Sequence, residues 1–206
     1  MFTHEKIIKF LDLPSLDDAT TQEILTLAEK IQPDLSSVTW LENFHKKTLK
    51  AASEIYARDS AVIPIYIQDK IKKLYQPYFS TPITPIFGVF ENIYKDDWSQ
   101  IPPHCDRQRK LAINYIVETG GLNVLTCFYN NTRIGENLES AECAIHDKLS
   151  LNCKVRLPDR VWHAYCVQTY HSVENIKTKR IILSLYLQDN ISYNDFIKLH
   201  NHLLYE

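Results

Sequence analysis

The chain has 206 residues and a mass of 24.1 kDa, which fits one domain of ordinary size. Hydrophobic residues make up 45% and charged residues 23%, so it can bury a core and is not a disordered tail. Lys and Arg number 23 against 25 Asp and Glu, a net charge of −2 that argues against a whole-protein field for nucleic acid or other polyphosphates.

The first third reads as helical. Thr20 and Glu23 form a capping-box pair, Ile24, Leu27, Ala28 and Ile31 follow at helical spacing, and Pro33 stops the run. Thr39 and Glu42 repeat the signal, with Leu41, Phe44, Thr48, Ala52 and Ile55 along one face. A third amphipathic stretch carries Ile67, Ile71, Leu74 and Tyr75 and ends near Pro77. After Pro85 the pattern shortens. Runs rich in β-branched and aromatic residues fall at 86–94, 111–117, 122–129, 154–156, 161–169 and 180–187. Gly120-Gly121, Asn130-Asn131, Pro158-Asp159 and Glu174-Asn175 read as turns between them. A last helix, capped by Ser192 or Asn194, runs through Phe196, Ile197, His200 and Leu203. Short strands without alternating helices favour an antiparallel sandwich or barrel over a parallel sheet. The fold class is α+β, with helices packed on a β-sandwich.

Only 4 residues are Gly, and none fits GxGxxG or GxxxxGK, which disfavours a nucleotide-binding loop. The 5 cysteines include no CxxC pair and read as reduced thiols in a cytoplasmic protein. No stretch approaches the roughly 18 apolar residues that a membrane span needs. The amphipathic N-terminal helices could serve a dimer as well as cover the barrel, so oligomeric state is not legible.

One segment stands apart: Pro102-Pro103-His104-Cys105-Asp106-Arg107-Gln108-Arg109. On an extended chain, residues two apart share a face, so His104 and Asp106 present an imidazole and a carboxylate side by side while Cys105 points away. Further on, His171 is followed by a polar stretch and then by Arg180, nine positions later, at the start of an apolar run. His-x-Asp plus a distant His is the facial triad of non-haem Fe(II), which leaves three adjacent coordination positions open. A keto acid can fill two of them and O2 the third. Arg meets the far carboxylate of such a ligand with a planar fork that Lys lacks. The other histidines fit less well. His163 lacks the following arginine and suits a substrate pocket or a buried aromatic neighbour, His146 directly precedes Asp147, and His4, His45, His200 and His202 read as structural or solvent-facing.

With these motifs in place, the sequence resembles the Fe(II)- and 2-oxoglutarate-dependent oxygenases. The stretch HCDRQRKLAINYIVETGG followed by LNVLTCFY looks like the smaller prolyl/aspartyl-hydroxylase-like members, of bacterial and phage type. The resemblance implies a double-stranded β-helix (jelly-roll) core at 84–190, a helical N-terminal support at 1–80 and a C-terminal helix at 192–206, all in one domain of 1–206. It implies His104, Asp106 and His171 as iron ligands and Arg180 as the 2-oxoglutarate anchor, with Asn114 or Tyr115 as further cosubstrate contacts. Arg109 and His163 are candidates for substrate binding. In many relatives a hydroxyl lies two positions beyond the arginine; here that position is Ile182, and the nearest serine is Ser184.

The leading functional expectation is a dioxygenase, a hydroxylase that decarboxylates 2-oxoglutarate to succinate. Its substrate would be a small molecule or a peptide or protein side chain, with nucleic acid disfavoured by the neutral charge balance. Two alternatives stay open: a cupin-like metal enzyme that does not use 2-oxoglutarate, and a non-catalytic jelly-roll module that binds a ligand. Arg107, Arg109, Arg133 and Arg160 could surround the mouth of the site, but solvated charges are the preferred reading.

Overall fold

A computed structural model describes residues 7–30, 53–57, 64–91, 99–106, 109–133, 142–143 and 148–204. Two antiparallel sheets face each other. The larger is built from β1 (Ile8–Leu11), β2 (Ser53–Ala57), β3 (Ile83–Glu91), β5 (Leu111–Thr119), β9 (Trp162–Cys166) and β11 (Arg180–Leu187), in the order β1-β9-β5-β11-β3-β2. The smaller holds β4 (Ser99–Cys105), β6 (Leu125–Thr132), β7 (Glu142–Cys143), β8 (Leu151–Val155) and β10 (Thr169–Ile176), in the order β7-β4-β10-β6-β8. Sequence neighbours repeatedly land in opposite sheets, which is the winding of a jelly roll.

Three α-helices among the described residues, α1 (Asp18–Lys30), α2 (Ile65–Tyr75) and α3 (Tyr193–Leu199), complete the α+β layout. The α1 cap is Asp17 rather than Thr20: the Thr20 amide donates to Asp17 Oδ1 at 2.6 Å, and this bond lowers the Asp17 pKa. Thr20 and Thr21 are themselves buried beside Ile24 and Ala28. In α2, Ile67, Ile71 and Tyr75 recur every fourth residue and are fully buried. Tyr75 Oη and Trp162 Nε1 both donate to the Pro14 carbonyl, at 2.9 and 3.1 Å, tying helix and sheet to the loop before α1. Ser192 caps α3 by accepting from the Asp195 amide.

The helical expectation over Thr39–Ile55 lies mostly outside the described residues, but Ile55 is in β2, paired with Val89 of β3. The N-terminal third is therefore not purely helical. β1 and β2 form the two edges of the larger sheet, so the core draws on chain that precedes residue 84. Glu174-Asn175 is not a turn between strands either. It lies inside β10, where the pairing with β4 slips between Val173 and Ile176 and Asn175 takes φ of 64°. No helix among the described residues is long and apolar enough to cross a membrane. Cys105, Cys127, Cys153 and Cys166 are free thiols.

The alternation of strand side chains positions the site. On β5, Ile113, Tyr115 and Val117 face the helices, whereas Ala112, Asn114 and Ile116 face the space between the sheets. On β11, Ile181, Leu183 and Leu185 face the helices and Arg180 and Ile182 face inward. Two apolar clusters fill the space between the sheets. One holds Ala112, Ile116, Phe128 and Tyr165, and the other Phe90, Ile101, Val173 and Ile176. A cavity with both polar and apolar walls reaches both clusters.

Candidate metal centre

His104 and His171 are Cα partners across the β4–β10 ladder, which is why residues 67 apart in sequence meet. Their rings lie 4.4 Å apart by centroid. Asp106 follows β4 directly, and its amide donates to the Val167 carbonyl at 3.0 Å. Asp106 Oδ1 then sits 3.2 Å from His104 Nε2 and 3.5 Å from His171 Nε2. One ligand atom from each residue falls within 4.8 Å of the others. Two donors at about 2.1 Å from a common ion and at right angles lie about 3 Å apart, so the Asp106 separations suit adjacent positions on one metal.

Each imidazole is turned by a carbonyl two residues earlier. His104 Nδ1 lies 2.7 Å from Pro102 O, and His171 Nδ1 lies 3.1 Å from Thr169 O. A carbonyl only accepts, so Nδ1 carries the hydrogen and the Nε2 lone pair points at the shared centre. That is the tautomer a metal ligand needs. Burial pushes His171 down to about 4, the His104 ring adding to it and Asp106 opposing it, so the imidazole is neutral near pH 7. Burial of Asp106 opposes ionisation, but the Arg109 guanidinium beside it outweighs this and holds the carboxyl well below the usual range.

The cavity beside the triad has a volume of about 30 Å³ and is walled by Asn114, His163, Tyr165 and Arg180 as well as by the triad. Arg180 is 5% exposed and hydrogen-bonds through Nη1 to the Thr119 carbonyl at 2.9 Å. Its Nε is buried with no hydrogen-bond partner, and among the described residues no carboxylate pairs with it. Glu174, the obvious structural partner, is engaged by Lys154 at 2.7 Å. Burial accordingly lowers the Arg180 pKa to about 10, which still leaves it charged near neutrality. Gly120 allows the turn to close on this residue: a Cβ there would lie 2.8 Å from Arg180 Cβ, and φ is 84°.

The remaining expected residues divide. Asn114 lines the cavity in a chain of bonds, with Ser184 Oγ donating to Asn114 Oδ1 at 2.6 Å and Asn114 Nδ2 donating to Tyr165 Oη at 3.2 Å. Tyr115 does not. It faces the helices, fully buried against Trp162 at 5.1 Å, because neighbours on a strand point oppositely. The expectation of Tyr115 as a cosubstrate contact is corrected accordingly. His163 lies in the cavity wall, 1% exposed and stacked on Tyr165, and burial pushes it down to about 4. Arg109 also borders the cavity, but its guanidinium is committed to Asp106. Arg133 Nη1 donates to the Asp106 carbonyl, Arg160 pairs with Asp18 on the surface, and Arg107 lies outside the described residues. His4, His45 and His146 also lie outside them. His200 packs on Phe196 and Phe79, and His202 is exposed. Cys105 turns away from the triad into a buried cluster with Cys127, Tyr129 and Tyr170. Tyr165 and Thr126 also line the cavity and were not singled out from sequence; period-two spacing from His163 places Tyr165 on the same face.

The two sheets, their winding and the site between them define a double-stranded β-helix. No protein-family model and no curated protein matches the sequence. Among solved structures the chain is similar to the epimerase SnoN, crystallised with Fe3+, alpha ketoglutarate and nogalamycin RO. The two share 14% identity at a TM-score of 0.50, over 89% of this chain and 80% of that one. A prolyl hydroxylase from Trichoplax adhaerens, in complex with a hypoxia inducible factor peptide fragment, is similar at 9% identity and a TM-score of 0.47, over 91% of this chain and 87% of that one. A Pseudomonas putida prolyl-4-hydroxylase is similar at 10% identity and 0.46, over 89% and 94%. The SnoN likeness agrees with the jelly-roll architecture.

Proposed function

We propose that this chain is an Fe(II)- and 2-oxoglutarate-dependent oxygenase. His104, Asp106 and His171 would hold the iron and Arg180 would anchor the cosubstrate. The observation that carries the reading is the pairing of two features in one cavity: three convergent donors with the correct tautomers, and a buried guanidinium with an open N–H and, among the described residues, no anion. A buried cation without a partner costs several kcal/mol. A dicarboxylate with one end on the metal and the other at Arg180 would supply the missing anion. Neutral Asn114 and Tyr165 between them can hydrogen-bond such a ligand without adding charge. SnoN was crystallised with iron and alpha ketoglutarate, which accords with this donor set.

Bound iron and 2-oxoglutarate would supply the oxidising chemistry together with O2, one oxygen atom going to succinate as CO2 leaves and the other to the substrate as hydroxyl. The chain's own work is to hold two neutral imidazoles and one carboxylate on one side, to orient the keto acid and to keep water out. Hydroxylation of a small molecule or of a peptide or protein side chain is the reaction we propose.

The test is succinate release under screening with small molecules and peptides, with His104→Ala alongside. The reading expects iron-dependent turnover of 2-oxoglutarate by the wild type and none by the variant. Equal turnover in both would refute it.

A further inference from the structure

Arg109 holds Asp106 in a way that a substrate-binding arginine would not. Its Nε and Nη2 both meet the same carboxylate oxygen, Oδ2, at 2.6 and 2.5 Å. The other oxygen, Oδ1, is the one facing His104 and His171. The carboxylate is therefore divided, with one oxygen held by the guanidinium and the other turned to the shared centre of the triad.

Both members of the pair are fixed from several sides. The Asp106 amide donates to Val167 O, and its carbonyl accepts from Gln168 Nε2 at 3.3 Å and Arg133 Nη1 at 3.2 Å. The same Gln168 amide donates to the Arg109 carbonyl at 2.6 Å, so one side chain spans the backbones of both residues. The Arg109 guanidinium lies over the Tyr186 ring, 4.6 Å from its centroid. Asp106 and Arg109 are 8% and 9% exposed, so the pair is shielded from solvent screening.

We infer that Arg109 is a positioning residue of the metal centre, which locks the Asp106 carboxylate so that Oδ1 alone is presented to the ion. The inference rests on the iron reading above and deepens it. A carboxylate free to rotate about its last bond can offer either oxygen or both, and binding through both would use a coordination position that the cosubstrate needs. Groups that orient a metal ligand are worth 10–100-fold in metal affinity in well-studied sites, about 1.4–2.8 kcal/mol. Lys could replace the charge of Arg109 but not its two-nitrogen grip on one oxygen.

The test is Co(II) binding to the full chain, followed through the visible absorption of the bound ion, in wild type, Arg109→Ala, Arg109→Lys and Tyr186→Leu. Circular dichroism and urea midpoints would be recorded for each. The expected result is a loss of affinity of about 10–100-fold in Arg109→Ala, a smaller loss in Arg109→Lys and the smallest in Tyr186→Leu, with altered band shape in the first two. Millimolar guanidinium should restore much of the affinity of Arg109→Ala, because the cation can re-enter beside Oδ2, whereas a fold merely weakened by the substitution gains nothing from it. Wild-type affinity and spectrum in a folded Arg109→Ala would overturn the inference and return Arg109 to substrate binding. Loss of affinity without guanidinium rescue would overturn it too, in favour of a structural role. Failure of the wild type itself to bind Co(II) would overturn the iron reading along with this one.

Discussion

The two faces of the larger sheet use the same strands for opposite ends. The helix-facing side of β5 and β11 is Ile113, Tyr115, Val117, Ile181, Leu183 and Leu185, all closely packed. The side facing the smaller sheet carries Asn114, Ser184 and Arg180, every one of them buried. Burying an aliphatic side chain stabilises the fold by about 1.5–3 kcal/mol, whereas a buried polar group contributes only about 1 kcal/mol even when it is hydrogen-bonded. Arg180 does not reach even that, since its Nε lacks a partner. The outer face holds the protein together, and the inner face gives up stability for a place where charge can be recognised.

The comparison can be broken most severely at Leu183, which is fully buried on the outer face. Leu183→Ala should lower unfolding free energy by about 2–5 kcal/mol in urea titrations while leaving metal affinity near the wild-type value. A loss of metal affinity with unchanged stability would mean that the two faces are not separable. The matching inner-face change is Arg180→Leu. It should leave Fe(II) bound, lower 2-oxoglutarate affinity by about 100-fold, about 2.8 kcal/mol, and leave the ligand-free fold no less stable. Calorimetric titration with unchanged cosubstrate affinity would sink the anchor.

Acid provides a milder contrast. His163 is held near 4 by burial, against about 6.5 for an unfolded histidine, so between those values the unfolded chain binds a proton that the folded chain refuses. Its contribution is present above about 6.5 and lost progressively as the pH falls to about 4. The urea midpoint should fall over that window, and less steeply in His163→Gln. An identical slope in that variant would assign the pH response elsewhere. The smallest effect expected is that of Ser184→Ala. It removes the donor to Asn114 Oδ1 and should cost about 1 kcal/mol of stability, with a modest fall in cosubstrate affinity. An effect as large as that of Leu183→Ala would show that the inner polar chain is a main support of the fold.

The site was legible where chemistry depends on spacing along an extended strand. His104 and Asp106 could be paired, and Cys105 turned away, from period two alone. Arg180 was legible because an arginine at the head of the apolar run 181–187 demands an explanation. Four things were hidden. β1 is a four-residue strand whose partner, β9, lies some 150 positions on, and no local signal announces it. Ile55 fits a helical stripe by periodicity, yet pairing with β3 places it in a strand, a tertiary override of local pattern. Asn175 reads as a turn residue because it tolerates positive φ, but here that tolerance serves a bulge inside β10. The Asp106–Arg109 clamp was equally invisible, since a spacing of three has no fixed meaning outside a helix.

The central claim is that this cavity holds iron and a keto acid together. It is tested most directly by anaerobic titration of the metal-free protein with Fe(II) and then with 2-oxoglutarate, watching for the weak visible charge-transfer band of a keto acid chelated to iron. The account predicts a saturable band in the wild type, and in Arg180→Leu a band that requires far more 2-oxoglutarate. Iron binding with no band at any concentration would contradict it and point to a cupin-like metal site instead.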